Sequence, residues 1–215
     1  MTQRIAVVDY GMGNLHSVAK ALEHVAPDAT VLVTDDAQAI AGADRVVFPG
    51  QGAAPDCMKE IAAHGLTEVI REAALNKPFL GICMGLQVLF RHSEEGNTPC
   101  LGLMPGEVRR FPAAQMRDPT GAKLKVPHMG WNNVRQTQPH PLWRGIDDGA
   151  RFYFVHSYYC DPAEAAVTAG QTDYPFAFTS AVARDNLFAC QFHPEKSAEA
   201  GLQLLKNFIT WDGSR

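Results

Sequence analysis

Apolar runs alternate with helix-period segments along the first half of the chain. Residues 4–10, RIAVVDY, form a nearly continuous apolar run of the kind found in strands buried on both faces. Residues 14–25 have the pattern of a helix, with Asn14 as a candidate N-cap. The same criteria predict strands at 29–34, 44–49 and 78–82, a short helix between the first two of these, one or two helices within 54–75, and a helix beginning in 84–92. This alternation predicts a parallel sheet with helices on both faces.

The second half of the chain has a different pattern. Five strand-like pieces, joined by loops rich in Pro and Gly, are EVRRF, WNNVRQ, RFYFVHSYY, PFAFTSAVA and LFACQF. Strand-like pieces without intervening helices indicate antiparallel strands added to the parallel sheet. A helix over 198–211 follows them. We therefore predict one α/β domain over residues 1–215, with an open, mostly parallel central sheet flanked by helices.

Composition and charge narrow the classes of function. The chain has 215 residues, 46% of them hydrophobic, and a net charge of −4, which gives no basic surface for nucleic acid. No apolar stretch reaches membrane-spanning length, and the N-terminal residues have the pattern of a strand rather than a secretion signal. We expect a cytoplasmic protein.

The cysteine and histidine patterns predict neither disulfides nor a metal. The five cysteines are odd in number and widely spaced, and they form no C-x-x-C pair. The eight histidines include no H-E-x-x-H spacing. We expect reduced thiols, no metal and no cofactor.

The stretch PFLGICMGLQVLF, residues 78–90, places Cys83 between two glycines at a strand-to-helix turn. This G-x-C-x-G pattern is the thiol form of the G-x-S-x-G nucleophile elbow, which presents a nucleophile at the end of a strand. A helix N-terminus favours a thiolate there, and the backbone N–H of Met84 is a candidate oxyanion donor. The alternative is a buried core cysteine. That structural role is our expectation for Cys57, Cys100, Cys160 and Cys190, which lack this context.

A cysteine nucleophile needs an imidazole, and LFACQFHPEKS (187–197) supplies a candidate. His193 and Glu195 follow an apolar strand, and residues i and i+2 of an extended chain point the same way. Glu195 could then orient the ring and stabilise the imidazolium. The alternative is a surface His–Glu pair, but strand ends of one parallel sheet meet at its carboxyl edge, where ligands bind.

Three other histidines compete for the role of base. His140 lies between prolines in a polar loop, so we expect it at the surface. His156 lies within the aromatic strand RFYFVHSYY, where we expect it to pack or to form a hydrogen bond. His128 belongs to a separate motif, VPHMGWNNV.

A third element, the turn PGQG at 49–52, completes a resemblance to the class I, triad-type glutamine amidotransferases. The motifs that carry it are PGQG (49–52), GICMGLQ (81–87) and FHPE (192–195), in this order. The resemblance implies the family fold and hydrolysis of glutamine through a thioester on Cys83, with His193 and Glu195 completing the triad. It also implies an oxyanion turn at Gln51 and Gly52 and a role for Gln87 in holding glutamine. The family often has PGVG at this turn, so Gln51 is a departure.

Further motifs resemble one branch of this family. They are YGMGNLHSV (10–18), SEEGN (93–97), VPHMGWNNV (126–134), YFVHSYY (153–159) and FHPEKS (192–197). This branch passes ammonia to a (β/α)₈ cyclase in histidine biosynthesis, so the resemblance implies a heterodimer. It implies contact of Glu95 with the α-amino group of glutamine. It places Asn14, Trp131, Tyr158 and Lys196 toward the partner, against the alternatives of core packing for the two aromatic residues and a solvated charge for Lys196 and Glu95.

Three other functions remain open from the sequence. One is a glutaminase subunit with another acceptor, such as that of anthranilate or aminodeoxychorismate synthase. Another is a related cysteine hydrolase that acts alone. The third is a nucleotide-binding module, suggested by Gly11 and Gly13 after the first strand. His16 stands where that fingerprint needs its third glycine, which argues against the last.

Overall fold

The computed structural model describes residues 2–118 and 120–214, and strands and helices alternate in its first half. The helices of this part of the chain are α1 (Leu15–Val25), α2 (Ala37–Ala41), α3 (Ala54–Ala63), α4 (Thr67–Asn76), α5 (Met84–Gln87) and α6 (Ala198–Thr210). The strands are β1 (Arg4–Val8), β2 (Thr30–Thr34), β3 (Arg45–Gly50), β4 (Phe79–Cys83), β5 (Phe90–Ser93), β6 (Thr98–Pro99), β7 (Met104–Arg110), β8 (His128–Asn133), β9 (Arg135–Gln136), β10 (Arg151–His156), β11 (Tyr158–Pro162), β12 (Thr168–Asp173), β13 (Ala177–Arg184) and β14 (Leu187–Cys190).

One large sheet organises the molecule. Its order among the described residues is β2–β1–β3–β4–β14–β13–β11–β7–β5–β6, and β12 and β9 continue from β13 off this path. The strands from β2 to β14 in this order are parallel, whereas β13, β11 and β7 join antiparallel. The predicted α/β class, with a parallel centre and antiparallel strands from the second half, is confirmed. The order also places β14, from near the end of the chain, directly beside β4.

The core lies on both faces of the parallel strands, which explains their apolar runs. On β1, Ile5 and Val7 join the cluster that contains residues of α1 and α6. Ala6 and Val8 join the cluster that contains residues of α2, α3 and α4. Because successive side chains of a strand point to opposite faces, a strand covered on both sides must be apolar at every position. The outermost strand, β2, is covered less: Leu32 and Val33 are 44% and 39% exposed.

The sequence predictions differ from the structure at several elements. The helix predicted from residue 84 is a single turn that ends at Gln87, and β5 begins at Phe90. The consecutive side chains 88–90 are all fully buried, which a helix with one face on the surface does not allow. The strand predicted at 131–136 begins at His128, breaks after Asn133, and pairs with β10 in a separate two-stranded sheet. The strands β5, β6 and β12 are not predicted.

The surface position predicted for His140 is wrong. This residue is only 8% exposed, and its ring centroid lies 4.9 Å from that of Phe188 and 5.1 Å from that of Trp211. A 3-10 turn at Pro141–Trp143 folds the loop onto the core, and the Leu142 N–H donates to His140 Nδ1. The flanking prolines therefore mark a turn against the core.

In the described part of the chain, none of the helices is both long and apolar enough to span a bilayer.

His128 and His156 form a buried pair across β8 and β10, as expected for a hydrogen-bonded His156. His156 Nδ1–H donates to the Tyr158 carbonyl (2.7 Å), so His156 Nε2 accepts from His128 Nδ1–H (2.9 Å). His128 Nε2 in turn accepts from the Asn132 amide at 3.2 Å. Both rings are neutral in this arrangement. Burial lowers the pKa of His128 to about 4 and that of His156 to about 3.

We expect this pair to make the protein sensitive to acid. In the unfolded chain both rings bind protons below about pH 6.5, whereas the folded state keeps them neutral until their lowered pKa values are reached. Their contribution to stability is therefore complete above pH 6.5 and is lost as the pH falls toward 4 and 3. The free energy of unfolding should fall by up to about 2.7 kcal/mol per pH unit between pH 6 and pH 4 from these two groups.

Denaturant unfolding at several pH values measures this slope. His156→Gln should reduce it by about 1.4 kcal/mol per pH unit. Leu204→Ala is the control, because truncating a buried leucine lowers stability at every pH and leaves the slope unchanged. An unchanged slope in His156→Gln would contradict the assignment.

Candidate active site

The carboxyl ends of β3, β4 and β14 bring the candidate residues together. Cys83 ends β4 with φ 55° and ψ −109°, a left-handed backbone that residues other than glycine rarely adopt. Its register partner on β3 is Gly50, and β14 pairs with the other side of β4 and leads to His193. The turn therefore lifts Cys83 out of the sheet at the edge where His193 also emerges.

The two glycines of G-x-C-x-G are required by close packing around this turn. A Cβ atom on Gly85 would overlap the carbonyl oxygen of Phe48 on β3. A Cβ atom on Gly81 would lie 2.8 Å from the Cβ of Ala189 on β14 and from the Gly85 carbonyl oxygen. Because these contacts are made by the backbones of β3 and α5 and by the Cβ of Ala189 on β14, larger residues at 81 or 85 would displace Cys83.

A pocket of about 530 Å³ opens above Cys83. Nine of the residues predicted from the sequence line it: Gln51, Gly52, Cys83, Met84, Gln87, Glu95, Tyr158, His193 and Lys196. The other lining residues are Gly11, Met12, Gly13, Pro127, Val155, His156 and Ser157. Cys83 and His193 are each 5% exposed, so they lie at the floor of the pocket.

Glu195 lies behind His193 and outside the pocket lining. Its Oε1 accepts a hydrogen bond from His193 Nδ1–H at 2.8 Å, and both side chains are almost fully buried. Pro194–Lys196 form a 3-10 turn, so Glu195 reaches the ring by a tight turn and not by the extended chain expected from the sequence. Because Nδ1 carries the proton donated to Glu195, Nε2 is the nitrogen left for chemistry, and it forms no hydrogen bond of standard geometry with a described residue.

The electrostatic environment of His193 favours its protonated form. Burial alone lowers its pKa, but the interactions with the Cys83 sulfur and with the Glu195 carboxylate outweigh burial and raise the pKa to about 10. The ring can therefore hold a proton beside the sulfur at neutral pH. Such an arrangement can serve a cysteine nucleophile, with the imidazole giving and taking protons.

The turn at Gln51 and Gly52 is held from below by two buried side chains. The Cys57 thiol donates to the Gln51 carbonyl at 3.5 Å, and burial raises the pKa of Cys57 to about 11, so the thiol keeps its proton. The Tyr10 hydroxyl lies so close to Gly50 that a Cβ atom there would overlap it. The loop residue Met12 packs against Gly52 from the other side. Cys57 is a buried cysteine with a structural role, as predicted, and that role is to hold the turn.

Gln87 is 2% exposed and is held by two acceptors. Its Nε2 donates to the Tyr158 carbonyl (3.3 Å) and to Gln191 Oε1 (2.9 Å). Its Oε1 lies buried in the pocket wall and has no partner among residues 2–118 and 120–214. Gln191, which sequence reasoning missed, donates from Nε2 to Cys83 Sγ at 3.7 Å. Its position two residues before His193 was the available signal, since alternate residues of an extended chain share a face.

The remaining predicted residues have mixed positions. Glu95 lines the pocket and accepts through Oε2 from the Ala54 N–H at 2.8 Å, which ties it to the start of α3. Tyr158 and Lys196 lie at the pocket wall. Asn14 precedes α1 as predicted but forms no side-chain cap, and Trp131 is 44% exposed on β8. These last two lie outside the pocket lining. Within the described ranges, no group of three or more His, Cys, Asp or Glu residues could hold a metal ion.

The family model and the named relatives of this chain agree with one another. The family "Glutamine amidotransferase class-I" matches residues 6–211. "Imidazole glycerol phosphate synthase subunit HisH" of Thiobacillus denitrificans is 67% identical over 212 residues, which are 99% of this chain and 93% of that protein. The protein of the same name from Aromatoleum aromaticum is 64% identical over 207 residues, 96% of this chain and 98% of the relative.

Solved structures agree in fold at low sequence identity. A glutamine amidotransferase structure has a TM-score of 0.69 at 16% identity and covers 95% of this chain and 99% of its own. A glutamine amidotransferase from Thermotoga maritima has a TM-score of 0.62 at 16% identity, with 93% and 79% covered. At this identity the likeness concerns the fold.

We expect Glu195→Gln to lower the pKa of His193. The carboxylate stabilises the imidazolium, so its removal leaves burial less opposed, and the ring should lose its proton at a pH lower by about one to two units. Titration of the histidine side chains by NMR, with His193 assigned by comparison with His193→Gln, measures the shift. Glu199→Gln, an exposed carboxylate in the first turn of α6, is the control. An unshifted His193 in Glu195→Gln would contradict the role of this pair.

Proposed function

The chain belongs to the class-I glutamine amidotransferase family, and from this premise we propose that it is the glutaminase subunit of an imidazole glycerol phosphate synthase. It would hydrolyse glutamine to glutamate and ammonia and supply the ammonia to a cyclase partner in histidine biosynthesis. The observation that carries this proposal is the convergence of the Cys83 sulfur, the His193 ring and the Glu195 carboxylate beneath one pocket. The names of the full-length relatives support the choice of pathway.

Glutamine would enter the pocket with its side-chain amide over Cys83. The thiolate attacks the amide carbon, and a tetrahedral oxyanion forms. Backbone N–H groups at Gln51 or Gly52 and at Met84 would hold this oxyanion, because all three residues line the pocket beside the sulfur. Gln87 and Glu95 would hold the rest of the substrate through their acceptor oxygens.

His193 would move the protons in both halves of the reaction. As imidazolium it protonates the departing nitrogen, and ammonia leaves a γ-glutamyl thioester on Cys83. As neutral imidazole it then removes a proton from water, which attacks the thioester and releases glutamate. Glu195 keeps the ring oriented and stabilises its charged form in both steps.

The ammonia must reach its acceptor before it is protonated and lost in solvent. We therefore propose a heterodimer with a (β/α)₈ cyclase whose active site receives ammonia directly from the pocket mouth. Tyr158 and Lys196 at the pocket wall, and Asn14 and Trp131 beyond it, are the proposed contacts. We place this enzyme in the cytoplasm, where its cysteines stay reduced.

Partner binding would also control the oxyanion turn. The Gln51 carbonyl is held by Cys57, so any rotation of the Gln51–Gly52 peptide requires this contact to break. We propose that the cyclase and its own substrate set the turn in its active conformation. Loss of one oxyanion donor costs about 10²–10³ in rate, which is enough to keep an isolated subunit nearly inactive.

Replacement of the nucleophile tests the reaction. Cys83→Ala should abolish glutamate release both with and without the cyclase, because no thioester can form. Cys100→Ala is the matched control, since this half-buried thiol lies outside the pocket lining. An enzyme-coupled glutamate assay measures both variants, and glutaminase activity retained by Cys83→Ala would refute the mechanism.

Activation by the partner is tested separately. We expect glutamate release by the wild-type chain to rise about 10²–10³-fold when the cyclase and its substrate are added, the effect of restoring one oxyanion donor. Bovine serum albumin in place of the cyclase should have no effect. Full activity of the isolated chain would rule out control through the turn and would favour a hydrolase that acts alone.

A further inference from the structure

Three consecutive hydrogen bonds connect the nucleophile with the wall of the pocket. Gln191 Nε2 donates to Cys83 Sγ (3.7 Å), Gln87 Nε2 donates to Gln191 Oε1 (2.9 Å), and the same Gln87 nitrogen donates to the Tyr158 carbonyl (3.3 Å). Gln191 is fully buried, and Gln87 is nearly so. Leaving a buried polar group without a hydrogen-bond partner costs free energy. A rotation of one of these two amides would therefore require the other to rotate as well.

The order of donors and acceptors in this chain is fixed by its last member. A backbone carbonyl can only accept, so the Gln87 atom that faces Tyr158 must be the NH₂ group. The same NH₂ group faces Gln191, which must therefore present its oxygen there. The other end of the Gln191 amide, its NH₂ group, then faces the Cys83 sulfur.

We propose that Gln191 is a positioning residue that sets both the nucleophile and the substrate-holding amide. The expected changes in kcat and KM rest on the proposed glutaminase function. The proposal gives the Gln191 side chain two roles, one toward Cys83 and one toward Gln87. Toward Cys83, the Gln191 N–H stabilises negative charge on sulfur. Toward Gln87, the Gln191 oxygen holds the NH₂ group in the wall and so fixes the orientation of the Gln87 amide beside the pocket.

The unpartnered oxygen of Gln87 indicates which part of the ligand it binds. It is a buried acceptor that finds no donor within the described residues, so a ligand group that satisfies it must be a hydrogen-bond donor. Glutamine carries such donors in its ammonium group and its side-chain amide. The Gln191 contact thus makes the pocket selective for a ligand that donates at this point.

Two substitutions separate the two tasks. Gln191→Glu keeps an oxygen that can accept from Gln87 but lacks the N–H and brings a negative charge beside the sulfur. We expect its kcat to fall by at least about a hundredfold, with a KM for glutamine within about threefold of wild type. Gln191→Met loses both contacts, so its kcat should fall and its KM should also rise about tenfold. Both are measured with the cyclase and its substrate present.

Alkylation of Cys83 tests the nucleophile task without glutamine or partner. At pH 7, iodoacetamide should modify Cys83 of Gln191→Met about tenfold to a hundredfold more slowly than wild type, the range for a hydrogen bond to a charged group. At pH 10 the rates should converge, because ordinary thiols ionise there without help. Loss of packing alone would not produce this pH dependence. Mass spectrometry of peptides identifies the modified cysteine.

Ser180→Ala is the control, because its carbonyl accepts from the Gln191 backbone N–H and its side chain is buried nearby, outside the pocket lining. It should leave kcat, KM and the alkylation rate unchanged. Equal alkylation of Gln191→Met and wild type at pH 7 would overturn the nucleophile task, and an unchanged KM in Gln191→Met would overturn the substrate task. If Gln191→Glu does not fold, Gln191→Met decides both. A wild-type complex without glutaminase activity would refute the proposed function and leave the alkylation result standing.

Discussion

Parallel pairing of β4 with β14 joins two parts of the chain that lie far apart in sequence, and the site exists only where they meet. The register fixes Cys190 beside Ile82, so the residues that follow each strand emerge at one edge. From there the Gln191 amide donates to the sulfur, His193 lies beside the sulfur at the pocket floor, and Glu195 lies behind His193. On the other side of β4, β3 ends at Gly50 and leads into the turn at Gln51 and Gly52. A shift of β14 by one residue would turn its side chains to the opposite face and dismantle the triad.

Two kinds of interaction stabilise the carboxyl edge of the sheet: close backbone packing and buried hydrogen bonds. The glycines at 81 and 85 let β4 approach β14, and α5 approach β3, until no space remains for a side chain. Around them, a single carbonyl, that of Tyr158, accepts from both Gln87 and His156. The first set places the backbone of Cys83, and the second orients the groups around its sulfur. The left-handed conformation of Cys83 is tolerated because this surrounding structure leaves no alternative.

Local sequence was sufficient for the elements whose signal is local. The strand before Cys83, the sharp turn at Cys83 and the apolar strand before His193 follow from runs of apolar residues and from glycine. The antiparallel region was predicted in kind but not in pairing, because β8 and β10 associate with each other and the choice depends on distant neighbours. The surface position predicted for His140 was wrong because a loop with a polar sequence can still fold onto the core. Gln191 was missed because its side-chain partners, Cys83 and Gln87, come from β4 and α5, and its position two residues before His193 indicates only a shared face.

The two edge strands of the main strand order, β2 and β6, differ in length and in the exposure of their side chains. At one end β6 is only two residues long, whereas at the other β2 has five residues and leaves Leu32 and Val33 partly uncovered. An open strand of this kind offers unpaired backbone groups to any passing β-segment and so invites aggregation. It lies at the side of the sheet, while the pocket opens at the strand ends, so pairing of a second chain along β2 would widen the sheet without closing the pocket. The strand edge that exposes the chain to aggregation, β2, is therefore separate from the strand ends that carry the active site.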